Sequence, residues 1–406
     1  MSRLDELIQQ YCPDGVEYKK LGVAVSIERG KRLVRDQLSN DCGYPVFQNS
    51  MIPLGYHTDY NYPENTTFII GAGAAGEIGF SSVKFWAADD CYPMVCGENI
   101  CSRYLYHAIL RIQPQIKSRV RKASIPRLSR VSIEQLEIPV PPLPVQSEIV
   151  RILDNFTELT AELTAELTAR KKQYEFYRDK LLTISNEQVA MSNERKQSKL
   201  DELIREFCPD GVEFMAIKDV YQRLKGTPIT ATKMKEIERA DGNVRIFAGG
   251  KTVIDAYEED IPKANITRVP AVLVQSRGVI DAVYYEKPFT FKNEMWAYTH
   301  ENKTAVKYLY YVLKNNMEKF REAASGMGSL PQISLKVTED FLIPVPPLPV
   351  QSEIVRILDR FDAFCNDLTS GLPAEIEARK KQYEFYREKL LAFHEISNGQ
   401  GEMSDE

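Results

Sequence analysis

Two regions of this sequence carry side chains that could read DNA. Arginine can form two hydrogen bonds with the edge of a guanine in the major groove, and asparagine or glutamine can do the same with adenine. Lysine and arginine also bind phosphates, which position a protein on DNA without reading its sequence. In residues 19–137 the candidates are Arg29, Lys31, Arg32, Arg35, Gln48, Asn49, Lys117, Arg119, Arg121, Lys122 and Arg127. In residues 215–342 the candidates are Lys225, Thr227, Thr230, Lys233, Lys235, Arg245, Lys251, Gln275 and Arg277.

The charge distribution supports this hypothesis only locally. The chain has a formal net charge of −5, which taken alone argues against a nucleic-acid partner. Between Asn99 and Ile133, however, the sequence contains eight lysines and arginines and no acidic residue. This stretch predicts a basic face for phosphate contacts. The alternative is a solvated basic helix, and any single candidate could equally be an ordinary surface residue.

Glycine motifs make a weaker case for nucleotide chemistry. Gly71–Gly76 matches GxGxxG, but a dinucleotide site needs a helix to begin at the glycines, and Glu77–Phe85 is typical of a strand. We therefore predict a glycine-rich hairpin whose loop could approach bases. Gly250–Thr252 resembles the end of a P-loop, yet Arg245 stands where that motif needs glycine, and no helical pattern follows.

No catalytic or metal site is predicted. The sequence lacks the Asn/Asp-Pro-Pro-aromatic motif of amino-methyltransferases, and its four histidines belong to no recognisable catalytic group. Cys91, Cys96 and Cys101 have four residues between each pair, but zinc needs a fourth ligand, and only His57 and His107 are near. Without an apolar run of membrane length or a signal peptide, we expect reduced cysteines and a cytoplasmic protein with no membrane partner.

The elements that must position these side chains are duplicated. The repeated strings are Leu4–Ile8 with Leu200–Ile204, Cys12–Glu17 with Cys208–Glu213, Ile138–Asp154 with Ile343–Asp359, and Ala169–Arg178 with Ala378–Arg387. The segments between these strings hardly match. Each half is predicted to be a short helix, a Pro-Asp-Gly turn, a variable α+β domain, a proline-rich strap and a long helix.

Apolar patterns within the variable regions predict strands first and a helix late. The predicted strands are Thr67–Ile70, Ile78–Phe85, Val244–Phe247, Val272–Gln275 and Val279–Tyr285. The predicted helices are Tyr104–Ile112 and Val306–Phe320.

Proline and helical periodicity predict the straps and the long helices. Pro139–Pro144 and Pro344–Pro349 should be extended, because proline lacks a backbone donor; a PxxP ligand is the alternative. Gln146–Leu182 has one apolar stripe and would form a helix about 55 Å long, which we expect to pack antiparallel against its duplicate. Gly371 and Pro373 predict a kink or a short break in the second helix.

A tandem tetrapeptide lies inside the first long helix. Thr-Ala-Glu-Leu occurs twice in succession, as Thr160, Ala161, Glu162, Leu163, Thr164, Ala165, Glu166 and Leu167. The corresponding segment of the second half is four residues longer. Four helical residues add about 6 Å and a net turn of roughly 40°. The unit is therefore predicted to set the distance between two reading sites.

Two unlike domains, each followed by an Ile-Pro-Val-Pro-Pro-Leu-Pro strap and a long helix, resemble the DNA specificity subunit of type I restriction–modification enzymes. The tandem tetrapeptide resembles the subgroup in which this unit occurs in different copy numbers. The resemblance implies an α+β fold with a pseudo-twofold internal repeat, in which two globular target recognition domains are separated by two long antiparallel, coiled-coil-like helices. Each domain would read one half of an asymmetric bipartite site in double-stranded DNA.

The resemblance also implies partners. Two methyltransferase subunits that use S-adenosylmethionine would dock on the helices, and up to two motor-nuclease subunits that use ATP and Mg would join them. This chain would carry no cofactor and would not be an enzyme by itself. The candidate docking residues are the duplicated aromatics Tyr174, Phe176, Tyr177, Tyr383, Phe385 and Tyr386. The other long helix is the alternative partner of these aromatics.

The predicted boundaries follow the duplication. The segments are, in order, an N-terminal helical segment (1–18), the first recognition domain (19–137), the first strap and spacer helix (138–184), a linker with the repeated helical segment (185–214), the second recognition domain (215–342), the second strap and spacer helix (343–394) and an acidic disordered tail (395–406). A fused methyltransferase or nuclease, a structural scaffold and a stand-alone DNA-binding protein are the alternatives.

Overall fold

Two structural units, each containing one variable region, make up the chain. The computed structural model describes residues 2–40, 42–182, 198–324, 331–367 and 369–396. Unit 1 takes its described residues from 1–165 and 375–406, which flank unit 2, residues 166–374. Residues 185–197 of the predicted linker segment and the predicted tail after residue 396 lie outside the described part.

The first half of the chain runs from a capped helix to the first long helix. Its helices are α1 (Arg3–Tyr11), α2 (Leu21–Ala24), α3 (Ser102–Arg111), α4 (Gln113–Ser118), α5 (Arg130–Glu134) and α6 (Leu143–Leu182), with a 3-10 turn at Arg35–Gln37. Its strands are β1 (Tyr18–Lys20), β2 (Val25–Ile27), β3 (Tyr44–Phe47), β4 (Tyr56–His57), β5 (Thr66–Ile70), β6 (Ile78–Ser81), β7 (Trp86–Ala87), β8 (Cys91–Cys96) and β9 (Glu137–Pro139). Ser2 starts α1 because its hydroxyl accepts a hydrogen bond from the Asp5 amide.

The second half repeats this order. Its helices are α7 (Lys199–Phe207), α8 (Ile217–Val220), α9 (Ala231–Ile237), α10 (Lys303–Asn315), α11 (Met317–Glu322), α12 (Leu335–Glu339), α13 (Leu348–Asn366) and α14 (Leu372–Leu390), with 3-10 turns at Gly249–Lys251 and Glu258–Asp260. Its strands are β10 (Phe214–Ala216), β11 (Gln222–Leu224), β12 (Val244–Phe247), β13 (Val253–Ala256), β14 (Ala271–Gln275), β15 (Asp281–Tyr285), β16 (Phe289–Phe291), β17 (Trp296–Thr299) and β18 (Leu342–Pro344). Ser198 caps α7 as Ser2 caps α1.

The two variable regions share one topology although their sequences differ. The main sheet has the antiparallel order β2-β8-β5-β6 in unit 1 and β11-β17-β14-β15 in unit 2. A smaller sheet, β4-β3-β7 in unit 1 and β13-β12-β16 in unit 2, contains one parallel pair. The predicted α+β class and the predicted internal repeat are confirmed.

The helix that follows the main sheet fixes the strap in each unit. In unit 1, α3 buries Leu105 in the core, and the Tyr104 hydroxyl donates a hydrogen bond of 2.9 Å to the Pro139 carbonyl. In unit 2, the Tyr308 hydroxyl of α10 donates to the Pro344 carbonyl at 3.2 Å. Burying one large apolar side chain contributes about 1.5–3 kcal/mol. The strap is therefore held by the same core that holds the sheet.

The straps are shorter than the sequence predicted. Helix α6 begins at Leu143 and α13 begins at Leu348, so Pro144 and Pro349 lie in the first helical turn. Proline fits there because the first backbone amides of a helix have no acceptor inside the helix. Before that turn, β9 and β18 pair with β1 and β10 as two-stranded sheets.

Two other predicted elements end early, and one predicted break is confirmed. The strand predicted for Ile78–Phe85 ends at Ser81, whose hydroxyl donates to the Val83 carbonyl at 2.6 Å and closes a turn. The helix predicted for Val306–Phe320 is interrupted at Asn316, which separates α10 from α11. The second long helix is interrupted between α13 and α14, as its glycine and proline predicted. Strand β15 begins two residues later than predicted.

Segments of the long helices pack together inside each unit. In unit 1, Phe156 of α6 stacks on Tyr386 of α14 with ring centroids 5.1 Å apart. In unit 2, Tyr177 of α6 stacks on Phe361 of α13 with centroids 6.1 Å apart. Each unit thus contains parts of both duplicated helices.

The segment after α14 returns to the Pro-Asp-Gly turn of unit 1. The Val16 amide donates to the His394 carbonyl at 2.8 Å, and the Ile396 amide donates to the Val16 carbonyl at 3.2 Å. Gly15 has a φ of +109°, and an added Cβ would lie 2.6 Å from the His394 oxygen. Only glycine fits this close approach.

Membrane and metal features were searched in the described residues. None of the helices there is long and apolar enough to cross a membrane. The same part of the chain contains no group of three or more His, Cys, Asp or Glu side chains arranged to hold a metal ion.

Candidate nucleic-acid interface

In unit 1 the glycine-rich segment forms the turn of a hairpin. Strands β5 and β6 pair antiparallel on either side of it. Gly73 and Gly76 have φ values of +76° and +85°, which glycine adopts without a steric penalty. A strand, not a helix, follows the glycines, so the predicted hairpin is confirmed and the dinucleotide motif is incomplete.

Backbone hydrogen bonds draw two loops against this turn. The Gly73 amide donates to the Pro126 carbonyl at 3.1 Å, and the Leu128 amide donates to the Gly71 carbonyl at 2.7 Å. The Asn49 carbonyl accepts a bond of 2.9 Å from the other side of the turn. The glycine turn therefore lies between the Gln-Asn loop that follows β3 and the basic loop that precedes α5.

The loop after β2 joins the same surface through the connection between β7 and β8. Arg29 Nε donates to the Asp89 carbonyl at 3.1 Å. The next carbonyl, that of Asp90, accepts a hydrogen bond of 2.6 Å from the Gly71 amide. The structure thus brings together the three groups of candidate residues that the sequence placed in the first variable region.

The candidate residues of unit 1 differ in the ion pairs and hydrogen bonds that they form within the fold. Lys117 pairs with Glu77 at 2.8 Å, and Arg119 donates to the Ser132 carbonyl at 2.6 Å. Gln48 is half-buried and Asn49 is exposed. Among the described candidates of unit 1, the exposed cations with no acidic side chain within ion-pair distance are Arg29, Lys31, Arg32, Arg35, Arg119, Arg121, Lys122 and Arg127, of which Arg29 and Arg119 donate to backbone carbonyls. Cations of this kind are suited to bind phosphates or base edges.

Unit 2 builds the same loop frame. The Gly278 amide donates to the Pro331 carbonyl at 2.9 Å, and the Ile333 amide donates to the Ser276 carbonyl at 3.0 Å. Gly278 has a φ of +75°. These two bonds reproduce the pair that fixes the glycine turn in unit 1. Residues 325–330, which precede Pro331, lie outside the described part of the chain.

Three candidate residues of unit 2 are engaged within the fold, which corrects their predicted availability. Thr227 is buried, and its hydroxyl lies 2.7 Å from that of Thr290. Gln275 is 3% exposed. Arg245 donates two hydrogen bonds to Asp255, at 2.8 and 2.9 Å, which lower the pKa of that carboxyl. The sequence could not reveal this, because burial depends on which strand face meets the core.

The remaining candidates of unit 2 lie at its surface or at a helix end. Thr230 caps α9 by accepting a hydrogen bond from the Lys233 amide, and the Lys233 ammonium pairs with Glu236 at 3.2 Å. Of the described candidates in unit 2, the exposed cations with no acidic partner within ion-pair distance are Lys225, Lys235, Lys251 and Arg277.

Sequence reasoning missed two residues of this frame, Ala72 and Gln332. Ala72 forms an isolated bridge with Arg127, and Gln332 forms the equivalent bridge with Arg277. A signal existed, because Arg127 and Gln332 stand equally far before the identical straps of the two halves. Counting back from the duplication would have aligned the two loops.

The duplicated tyrosines of the long helices face the interior of their units. Tyr174 packs against the unit 2 core and Tyr383 against the unit 1 core, and burial raises the pKa of each to about 12. Tyr177 and Tyr386, in the stacked pairs described above, are both 38% exposed. For Tyr174, Tyr177 and Tyr386, the other long helix is therefore a partner.

The duplicated phenylalanines are different. Phe176 and Phe385 are 64% and 62% exposed, and each contacts the neighbouring tyrosine edge-on. Two large apolar side chains at equivalent exposed positions are suited to contact another protein. Phe176 and Phe385 therefore stay candidates for a contact with another protein.

A hydrogen-bonded network joins α3 to both long-helix segments in unit 1. Arg103 Nε and His107 Nε2 each lie 2.8 Å from Asp154 Oδ1, and His107 Nδ1 lies 2.9 Å from the Tyr383 hydroxyl. Burial lowers the pKa of His107 more than Asp154 raises it. Burial alone would raise the pKa of Asp154, but its bonds with His107 and Arg103 lower it. In unit 2, a tyrosine hydroxyl donates to the equivalent aspartate.

The tandem tetrapeptide is helical throughout. The Thr160 and Thr164 hydroxyls donate to the carbonyls four residues earlier, both at 2.7 Å. Leu163 and Leu167 are half-buried on one side of α6. The boundary between the two units falls within this tandem.

Comparison with known proteins gives a consistent result. A family model for the type I restriction modification DNA specificity domain matches residues 13–170 and 209–378. The specificity subunit of the type I restriction enzyme EcoR124I/EcoR124II of Escherichia coli is 33% identical over 384 residues, covering 83% of this chain and 88% of that protein. The crystal structure of a type I restriction–modification S subunit from M. genitalium has a TM-score of 0.65 at 16% identity, covering 93% of this chain and 96% of that one. A chain solved in work on complex assembly and conformational transition of the type I R-M system has a TM-score of 0.56 at 14% identity, covering 93% and 98%.

Proposed function

The chain belongs to the type I restriction–modification DNA specificity family, and from this premise we propose that it reads the DNA sequence for a type I complex. It would catalyse no reaction itself. Each unit would read one half of an asymmetric bipartite site in double-stranded DNA. The observation that carries this proposal is that the two units share one loop frame but expose different side chains on it. Such a frame suits two half-sites of unlike sequence.

Selection from a DNA library with two randomised blocks tests this function. The complex purified from the native host should enrich one asymmetric bipartite sequence. Replacing residues 19–137 by the matching domain of another family member should change one half of that sequence and leave the other half unchanged. An exchanged complex that still selects the original sequence would favour the scaffold alternative.

The proposal extends to partners. Phe176 and Phe385 occupy equivalent positions of a duplicated string, so they would bind two copies of one partner, the methyltransferase subunit. Those subunits would use S-adenosylmethionine, and up to two motor-nuclease subunits would use ATP and Mg. The specificity chain would position these subunits on the DNA and would bind no cofactor itself. The predicted segment boundaries between residues 137 and 138 and between 342 and 343 belong to the same proposal.

The spacer between the half-sites would be set by α6. Its tandem tetrapeptide lies within one uninterrupted helix, so a change in copy number changes the length of the helix between the recognition domains. We propose that this chain belongs to the subgroup whose members differ in that copy number.

A further inference from the structure

In both units the loop frame places one residue pair side by side. The pair is Ala72 and Arg127 in unit 1, and Arg277 and Gln332 in unit 2. In each case the flanking backbone hydrogen bonds run on either side of the pair, not between its members. In an antiparallel arrangement of this kind the Cα atoms are about 4.5 Å apart, and both side chains lie on the same face. The two pairs therefore occupy one equivalent position of the fold.

Each pair contains one arginine, on opposite segments of the bridge. Arg127 belongs to the basic loop of unit 1, whereas Arg277 belongs to the hairpin turn of unit 2. Both are exposed, and neither guanidinium has an acidic side chain within ion-pair distance among the described residues. Arg245 differs, because Asp255 neutralises it. The frame thus fixes the backbone of Arg277 in unit 2 and of Arg127 in unit 1, where two backbone hydrogen bonds also hold Arg121 beside Arg127.

The turn beside Arg127 consists of small residues only. Residues 71–76 carry nothing larger than a methyl group, and the Ala72 methyl is buried, with 3% of the residue exposed. Two backbone hydrogen bonds hold the turn in place. A guanidinium on so fixed a backbone can present its two parallel donors in one orientation, which base reading requires and phosphate binding does not.

We propose that Arg127 and Arg277 are equivalent specificity-determining residues, each recognising a guanine of its half-site through the O6 and N7 atoms. This assignment rests on the proposed function, since it names the side chains by which each unit reads its half. It separates these two arginines from the other surface cations, which bind phosphates.

Base preferences measured on complexes with single substitutions test the assignment. In the half-site read by unit 2, Arg277→Ala should reduce the preference for one guanine by about tenfold or more. Arg277→Lys should do nearly the same, because lysine keeps the charge but lacks the paired donors. Lys251→Ala, the matched control, should weaken binding to all sequences equally. Arg127→Ala and its control Lys122→Ala should behave in the same way in the other half-site.

A double variant tests the equivalence of the two pairs. Arg277→Ala with Gln332→Arg copies the Ala72 and Arg127 pair into unit 2, and it should recover a guanine preference displaced from the original position. A double variant with no guanine preference overturns the equivalence. Unchanged melting temperatures would show that these surface changes leave the fold intact.

The outcomes also separate this inference from the proposed function. Uniformly weaker binding with every base preference retained would make Arg127 and Arg277 phosphate contacts and overturn the inference, while the proposed function stands. A wild-type complex that selects no bipartite sequence would overturn the proposed function itself.

Discussion

His107 Nε2 and Asp154 Oδ1 lie 2.8 Å apart in unit 1, and this hydrogen bond joins α3 of the variable region to the first long helix, α6. Burial lowers the pKa of His107 in the folded chain. An unfolded histidine titrates near a pKa of about 6.5. Below that pH the unfolded chain binds a proton that the folded chain resists. The contribution of His107 to the stability of unit 1 is therefore fully present above about pH 6.5 and is lost as the pH decreases towards its lowered folded-state pKa.

Replacing His107 by glutamine should remove this pH dependence. Glutamine keeps a donor for Asp154 and an acceptor for Tyr383 but does not titrate. We expect the melting temperature of the wild-type complex to fall between pH 7.5 and pH 5.5, and that of His107→Gln to fall less. Tyr311→Phe in unit 2 is the control, because it removes a hydroxyl that donates to Asp359 without a change in this window. The same decrease in both variants would show that His107 is not its source.

Alanine at Gly73 should disturb the reading surface of unit 1. The residue has a φ of +76°, and an added Cβ would lie 2.7 Å from the Asn49 oxygen. The left-handed conformation alone costs about 1–2 kcal/mol, so Gly73→Ala should lower the free energy of unfolding and weaken DNA binding. Gly97→Ala is the matched control, since an added Cβ there meets nothing within 4 Å. Equal effects of the two substitutions in denaturant titrations and binding assays would show that the left-handed conformation of Gly73 is not required for stability or DNA binding.

Insertion of one Thr-Ala-Glu-Leu unit after Leu167 should lengthen the unread spacer of the DNA site. Helix α6 is continuous across this position, so four residues add about 6 Å, which corresponds to roughly one or two base pairs. Library selection on the complex should show the same two half-sites at a wider separation. The same four residues inserted between residues 183 and 197, outside the tandem, should leave the spacing unchanged. A spacing that ignores the insertion in α6 would refute its role as the spacer.

Substitution of the exposed phenylalanines should reduce the number of bound partners. Phe176→Ser and Phe385→Ser each remove an apolar side chain that is 64% or 62% exposed, so the effect on stability should stay within about 0.5 kcal/mol. Native mass spectrometry should show one methyltransferase copy fewer for each single variant and none for the double variant. Glu175→Ala and Glu384→Ala, at the adjacent exposed positions, are controls that should keep full occupancy. Full occupancy in the double variant would place the docking surface elsewhere.

Features governed by local backbone constraints were predictable from the sequence. The hairpin at Gly71–Gly76 and the interruption at Gly371 follow from the properties of glycine and proline in their own segments. The duplication predicted two units of one architecture because identical strings of that length fold alike. Proline was misleading only at Pro144 and Pro349, where the start of a helix tolerates it.

Features governed by tertiary neighbours were not predictable. Thr227 and Gln275 have the chemistry of base contacts, but the sheet buries both of them. Arg245 meets Asp255 across two strands, a pairing that depends on register. For Gln332, the equal distance from the strap was visible in the sequence, but the bridge to Arg277 was not. Residue type therefore identified candidates, and burial and pairing decided which of them remain accessible.

The hydrogen bonds between Val16 and the segment at His394 bear on the order in which the two units are completed during synthesis. Unit 1 needs residues from both sides of unit 2, whereas unit 2 is one contiguous stretch of chain. During synthesis, the chain of unit 2 is complete before residues 375–396, the C-terminal part of unit 1, have been made. The domain that starts first therefore finishes last, and its unpaired long-helix surface stays exposed throughout that interval.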